Sequence, residues 1–204
     1  GGHDPELWQA QSKKYFRADD PLYPCSSGFM PDESRQICYT YLTPHLFRAA
    51  GGDYGHPTPE IFESAFKFCG KIPAGDEKNL KACFGGFGKE FVVLAKARDI
   101  RTIEDIGPRE LAAVYEWCRL AGDSFGTASC VEQAMQSLYW GGENKPDAAI
   151  RFCGIATEPD HQSKCFSGLI GAAEFYIPDR GYRKYFCSRL PSAYRQNCSE
   201  ALLR

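Results

Sequence analysis

The chain has 204 residues and a nearly even charge balance, with 24 Lys and Arg against 26 Asp and Glu. This balance argues against a dedicated nucleic-acid-binding protein, whose affinity depends on an excess of basic charge. A hydrophobic content of 43% is sufficient for a packed core. The sequence contains no run of eighteen apolar residues of the kind that spans a bilayer.

Ten cysteines are the most informative residues, and their spacing decides between a disulfide framework and a metal or redox site. The sequence has no C-x-x-C motif, which is typical of dithiol redox sites and zinc knuckles. The cysteines instead form five pairs separated by 12, 13, 11, 11 and 10 residues: Cys25 with Cys38, Cys69 with Cys83, Cys118 with Cys130, Cys153 with Cys165, and Cys187 with Cys198. This pattern favours disulfides between nearest neighbours and an extracytoplasmic location, which is the periplasm, the cell surface or the exterior.

Residues 1–20 are predicted to form an N-terminal helix that precedes the disulfide pairs. Its aromatic residues Trp8, Tyr15 and Phe16 are candidate anchors for a partner protein, or they pack on the first hairpin. Gly1-Gly2-His3 could enclose Cu(II) in square-planar geometry if Gly1 is the native amino terminus. We assign no metal and no cofactor, because that interpretation depends on where the natural chain begins.

Five helical hairpins are predicted after this helix, at about 21–52, 58–99, 108–142, 146–177 and 178–204, within one all-α domain. Proline and acidic residues predict the helix starts at Thr58-Pro59, Asp76-Glu77, Gly107-Pro108, Lys145-Pro146, Pro159-Asp160 and Pro191-Ser192. Helices are predicted to stop at Gly51-Gly52, Gly122 and Gly141-Gly142. Each hairpin is expected to carry one disulfide, with the second cysteine about one turn into the second helix.

The pairs also share their neighbouring residues, which indicates an internal repeat. An aromatic residue precedes the first cysteine of four pairs: Phe68, Trp117, Phe152 and Phe186. Apolar residues follow the second cysteine at four and eight positions, as in Phe87 and Phe91. The spacing of 44, 49, 35 and 34 residues between first cysteines suits an α-solenoid-like array of hairpins.

The segments Phe68-Cys69-Gly70 with Lys81–Gly86, and Phe152-Cys153 with Lys164–Leu169, make the chain resemble a known class of repeat protein. They are similar to secreted Sel1-like cysteine-rich repeats, which are relatives of tetratricopeptide repeats and carry one disulfide in each helical hairpin. The resemblance covers about 180 residues and implies a binding scaffold without naming its ligand. The twin C-x9-C proteins are the alternative, but they place two cysteines on each helix rather than one.

Several residues could have a catalytic or ligand-binding role, and each also has a simpler structural interpretation. A metal ion could be held by His45, His56 and Asp53. The alternative is that His45 lies on the surface of a helix and that the other two lie in a loop. Glu63, on a predicted helix, could be the general acid of a polysaccharide-acting hydrolase or lyase, or one residue of a polar helix face. The glycines of Gly85-Gly86-Phe87-Gly88 favour close helix packing over phosphate binding.

The segment from Arg180 carries a local charge of +5, with six basic residues against Glu200: Arg180, Arg183, Lys184, Arg189, Arg195 and Arg204. This hairpin could dock on an acidic partner, or it could be the polar cap of the array. We assign no catalytic constellation. The predicted function is an exported scaffold that binds another protein or is a subunit of a larger extracytoplasmic complex, and the alternative is the Glu63 enzyme.

Overall fold

The computed structural model describes residues 16–17, 19–53, 57–99, 101–141 and 145–204, and these ranges contain helices and no strand. The all-α prediction is therefore confirmed for this part of the chain. The helices are α1 (Asp32–Tyr41), α2 (Thr43–Ala49), α3 (Pro59–Cys69), α4 (Glu77–Ala95), α5 (Pro108–Arg119), α6 (Ser124–Gly141), α7 (Asp147–Ile155), α8 (Pro159–Tyr176), α9 (Arg180–Arg189) and α10 (Ser192–Leu202). A short 3-10 helix, Ile103–Asp105, lies between α4 and α5.

Three helices of the described ranges begin at a proline, as the sequence predicts. Pro59, Pro108 and Pro159 are the first residues of α3, α5 and α8. Proline suits this position because its fixed φ matches the helix and its missing N–H would have no partner there. Gly51 and Gly122 follow helices with φ of 89° and 84°, a left-handed conformation that glycine adopts without a steric penalty.

All ten cysteines lie in disulfides between nearest neighbours, which is the pairing that the spacing favours. The Cα–Cα distances lie between 5.4 and 5.7 Å. The five bonds are Cys25–Cys38, Cys69–Cys83, Cys118–Cys130, Cys153–Cys165 and Cys187–Cys198. Since each bond stays within one unit, the cysteines staple the chain locally and leave contacts between units to packing.

The second cysteine of each pair lies deeper in its helix than the sequence predicts. Helices α1, α4, α6, α8 and α10 each place this cysteine at their seventh residue, and these cysteines are Cys38, Cys83, Cys130, Cys165 and Cys198. The expected position, about one turn in, is therefore corrected to nearly two turns. The reason is that the second helix begins six residues before this cysteine in every unit, so that about half or more of the intervening residues are helical rather than loop.

The first unit differs from the predicted helical hairpin. Cys25 lies in a run of turns over residues 21–30 and not at the end of a helix. The Asp20 carboxylate accepts hydrogen bonds from the Leu22 amide at 3.1 Å and from the Ser26 hydroxyl at 2.7 Å, and it thereby holds this turn together. Pro24 has no N–H to donate to a helix. The first disulfide therefore joins a turn segment to α1.

The second helices of successive units pack side by side in chain order. Helix α4 contacts α1 and α6, α6 contacts α8, and α8 contacts α10. Contacts at both ends show that α4 and α6 run in the same direction, since Gly126 approaches Phe84 while Val93 and Trp140 line one cavity. Helices α3, α5 and α7 pack beside this row, against their partners in the hairpins or the adjacent units.

Two glycines of α4 allow its neighbours to approach closely. A Cβ on Gly86 would lie 2.7 Å from the Thr40 carbonyl oxygen, and a Cβ on Gly88 would overlap the Cys130 carbonyl oxygen. At 100° per residue these glycines point to opposite flanks of the helix, so α1 packs on one side and α6 on the other. The close-packing interpretation of Gly85–Gly88 is thus confirmed.

An aromatic core packs against the face of α4 that carries Phe87 and Phe91. Phe87 and Phe91 of α4 contact Phe47, Phe62 and Phe66, with ring centroids 4.0 to 6.3 Å apart. All five rings are at most 3% exposed. Aromatic pairs at these separations add about 0.5–1.5 kcal/mol each beyond the burial of their area. This cluster fixes which face of α4 is left for solvent.

The burial of the cysteines predicts the order in which the disulfides are reduced. Cys38 is half-buried, whereas the other nine cysteines are at most 3% exposed. Since a reductant must reach a sulfur atom, we expect limited phosphine treatment to open Cys25–Cys38 first. Stepwise alkylation followed by peptide mass mapping would show this order. A crosslink between units, such as Cys38–Cys69, would contradict the stapled-unit arrangement.

Candidate functional site

A groove crosses the outer face of α4 between α1 and α6. Its apolar end is a cavity of about 400 Å³ lined by Tyr41, Lys89, Val92, Val93, Ile103, Gln133, Ser137 and Trp140. Val92 and Ile103 are buried and form the floor, whereas Tyr41 and Trp140 are 64% and 47% exposed and form the walls. Two exposed aromatic walls over an aliphatic floor are typical of sites that take up an apolar side chain.

The groove continues into a polar cavity of about 360 Å³, and Gln133 lines both parts. This polar end is lined by Gln36, Ile37, Thr40, Lys78, Lys81, Ala82, Gly85, Ser129, Glu132, Gln133 and Gln136. Lys81 Nζ lies 2.7 Å from the Glu132 carboxylate and bridges α4 to α6 across the floor. Gly85 leaves the floor of this end without a side chain.

The helical period of α4 explains why the groove lies where it does. The lining residues of α4 recur at intervals of three or four: Lys78, Lys81, Ala82, Gly85, Lys89, Val92 and Val93. This spacing places them on one face of the helix, opposite Phe87 and Phe91 in the aromatic core. The same helix therefore supplies both the floor of the groove and the centre of the core.

Basic charge predominates along the groove. Lys78, Lys81 and Lys89 line it against a single acidic residue, Glu132. Lys89 Nζ lies 4.4 Å from the centre of the Tyr41 ring, a cation–π contact that holds the cation at the apolar end. The groove therefore offers cations to an acidic ligand, together with a pocket for an apolar group.

Exposed aromatic residues extend beyond the groove toward α8. The Trp140 ring lies 4.1 Å from Tyr176, and Tyr176 lies 4.7 Å from Phe175. Phe175 is 80% exposed and lies outside the groove lining. It is thus a natural control for an aromatic residue that lies inside the groove.

Two of the three candidate metal residues, His45 and Asp53, lie in the described part of the chain, and His56 does not. In the described part, no group of three His, Cys, Asp or Glu residues could hold a metal ion. His45 is stacked on Phe16 with ring centroids 4.0 Å apart, and its burial, aided by Arg48, lowers its pKa. The hypotheses about the first fifteen residues and one loop histidine stay predictions, because these lie outside the described residues: His3, Trp8, Tyr15 and His56.

Glu63 lies on the surface of α3. Its carboxylate is 3.8 Å from Lys67 Nζ, and its side chain is 60% exposed. A general acid of a sugar-cleaving enzyme needs a raised pKa, which comes from an apolar pocket or a second carboxylate. The surroundings of Glu63 are those of a surface ion pair, so the geometry gives the polysaccharide enzyme no support.

Most of the basic C-terminal segment is engaged within the protein. Arg183 donates hydrogen bonds to the carbonyl oxygens of Glu174, Ile177 and Leu202, and Arg195 donates to that of Leu190. These bonds satisfy carbonyl groups around the ends of α8, α9 and α10. Arginines bound in this way support the interpretation of a polar cap over that of a docking face.

One cluster was missed by the sequence reasoning. Residues 122–126 read Gly-Asp-Ser-Phe-Gly, which fits the Gly-x-Ser-x-Gly pattern of serine hydrolases. The Oγ of Ser124 lies 3.5 Å from Nε2 of His161, and His161 is only 2% exposed. The five-residue pattern was the available signal, but the contact with His161 joins residues 37 positions apart and needed the structure.

Comparison with protein-family models, with curated protein sequences and with solved structures gave no match for this chain. No described helix combines the length and apolarity needed to cross a membrane. Five disulfides indicate an oxidising, extracytoplasmic environment.

Proposed function

We propose that this protein is an exported, disulfide-stapled helical scaffold that binds an acidic segment of a partner protein in the groove of α1, α4 and α6. The observation that carries this proposal is the change of character along the groove, from lysines and amides at one end to an aliphatic floor at the other. A short segment with an apolar side chain beside acidic residues matches both ends. The scaffold can act alone or as a subunit of a larger extracytoplasmic complex.

The proposed architecture is an α-solenoid-like array in which each unit rests on the preceding one. Support comes from the packing of α4, α6, α8 and α10 in chain order, each against its neighbours. It also comes from the seventh-residue cysteine that every unit repeats. The likeness to Sel1-like repeats is part of this proposal. Repeat arrays of this kind present long surfaces to their ligands.

Trp140 and Lys89 are expected to supply most of the binding energy. A half-exposed tryptophan over a buried floor resembles the aromatic anchors that dominate protein interfaces. Lys89 lies beside it and is poised to pair with a carboxylate of the ligand. Trp140→Ala and Lys89→Glu are each expected to weaken binding by about tenfold or more, which corresponds to about 1.4 kcal/mol.

The test begins with selection of short random peptides displayed on phage against the oxidised protein. Enriched sequences are expected to combine Asp or Glu with an aromatic or aliphatic residue. A synthetic peptide of that sequence is then titrated against the protein and the variants, and its affinity should fall as salt is added. Phe175→Ala is the matched control, an aromatic truncation outside the groove, and should bind as tightly as the unaltered chain. Peptides of no common charge, or equal affinity for all variants, would refute the proposal.

A further inference from the structure

Ser124, His161 and Glu158 form a chain of polar contacts at the start of α6 and α8. Ser124 Oγ lies 3.5 Å from His161 Nε2, and His161 Nδ1 lies 3.5 Å from Glu158 Oε2. The Tyr115 hydroxyl lies 3.4 Å from the same Nδ1. Because Nδ1 faces a carboxylate, the tautomer with hydrogen on Nδ1 is favoured, which leaves Nε2 free to accept the Ser124 proton.

The three side chains differ in exposure in the way that a hydrolytic site requires. The imidazole of His161 is 2% exposed and held by its neighbours, whereas Ser124 is exposed and accessible to a substrate. Arg119 Nε lies 3.7 Å from Glu158 and helps to position its carboxylate. A cavity of about 220 Å³ opens over the group, lined by Arg119, Gly122, Asp123, Ser124, Thr127, Glu158 and His161.

The backbone at Ser124 provides a place for a developing negative charge. Gly122 turns the chain with φ of 84°, and the Asp123 carboxylate caps α6 by accepting the Gly126 N–H at 2.7 Å. Ser124 and Phe125 are the first two residues of α6, whose amides have no acceptor within the helix. Their N–H groups and the helix dipole favour an oxyanion beside Ser124.

We propose that Ser124 is the nucleophile of an ester-hydrolysing site, with His161 as general base and Glu158 as a positioning residue. Ser124 Oγ forms a bond to the acyl carbon while its proton passes to His161 Nε2. The ester C–O bond then breaks, and the alcohol leaves with that proton. Water adds to the acyl-serine by the same route, so the net reaction is ester plus water to acid plus alcohol. The cavity is open to solvent and lined mainly by polar and charged side chains, which suits a polar ester.

The assignment depends on geometry and not on fold. A Gly-x-Ser-x-Gly serine normally lies between a strand and a helix, whereas Ser124 lies between α5 and α6 in a described region without strands. Serine, carboxylate and histidine follow one another here in the order 124, 158 and 161, and equivalent triads occur on several unrelated folds. This activity is separate from the proposed groove, since the two share no lining residue.

Hydrolysis of p-nitrophenyl acetate by the purified, oxidised chain and labelling with a fluorophosphonate test the proposal together. The phosphonyl adduct is expected on Ser124 by peptide mass mapping. Ser124→Ala should lower kcat/KM by about 100-fold or more. Ser192→Ala is the matched control because Ser192 is the first residue of α10, and it should leave the rate unchanged.

Glu158→Gln distinguishes positioning from mere stability. Glu158 is half-exposed, so the variant is expected to fold. The variant should lower kcat by about tenfold or more while KM stays nearly constant. The reason is that the Glu158 carboxylate of the unaltered chain stabilises the protonated imidazole and does not contact the ester. The assignment would be overturned if Ser124→Ala hydrolysed the ester as fast as the unaltered chain. It would also be overturned if the phosphonyl label were spread over other serines.

Discussion

Gly88→Ala is expected to destabilise the protein by about 3 kcal/mol or more, although alanine is the better helix former by about 1 kcal/mol. The added methyl group would overlap the Cys130 carbonyl oxygen and lie 2.8 Å from the Ala134 amide nitrogen. Both obstacles are backbone atoms of α6, so a rotamer change cannot relieve them. Helices α4 and α6 would have to separate, and the floor of the groove would open. Thermal unfolding under oxidising conditions should show a fall in Tm of roughly 6–12 °C.

Gly171→Ala is the matched control for this prediction. Gly171 lies within α8, is exposed, and has no atom within 4 Å of the position of an added Cβ. This variant should be stabilised by about 0.5–1 kcal/mol, since only the helix propensity changes. Opposite signs for the two glycines would show that packing outweighs propensity at Gly88. A stabilised Gly88→Ala variant would contradict the close approach of α4 and α6.

Local signals predicted most of the secondary structure because they act over a few residues. Proline at a helix start and glycine after a helix end are effects of one turn of backbone, and α3, α5 and α8 begin at their predicted prolines. These signals did not predict the first unit correctly, because the turns around Cys25 depend on the Asp20 side chain and not on a helix period. A cysteine spacing alone does not distinguish a helix end from a turn.

The candidate sites could not be predicted as sites, because each depends on which helices become neighbours. Tyr41, Lys89 and Trp140 line one groove only because glycines let α1 and α6 pack on opposite flanks of α4. The sequence showed the glycines and the aromatic residues but not their common face. Likewise, the serine pattern at residues 122–126 becomes informative only when α8 brings His161 to it.

Removing one disulfide is expected to have very different consequences in the third and the fifth units. Cys118–Cys130 and Cys187–Cys198 close loops of similar length, with sequence separations of 12 and 11. Each crosslink therefore contributes a similar amount through loop entropy, about 3 kcal/mol. The third unit, however, contacts units on both sides, through α4 and α8, whereas the main contact of α10 with the preceding units is with α8. Removal of the Cys118–Cys130 disulfide should therefore weaken the packing of the third unit against both of its neighbours.

Hydrogen exchange on two double variants measures this difference. Cys187→Ala with Cys198→Ala should lose amide protection in α9 and α10 while α4 and α6 keep theirs. Cys118→Ala with Cys130→Ala should lose protection from α4 through α8 and show a lower unfolding midpoint in urea. The contrast follows from stability that is approximately a sum of unit and nearest-neighbour interface terms. If both double variants lose protection evenly along the chain, the helices form one cooperative core and the proposed array of stapled units is wrong.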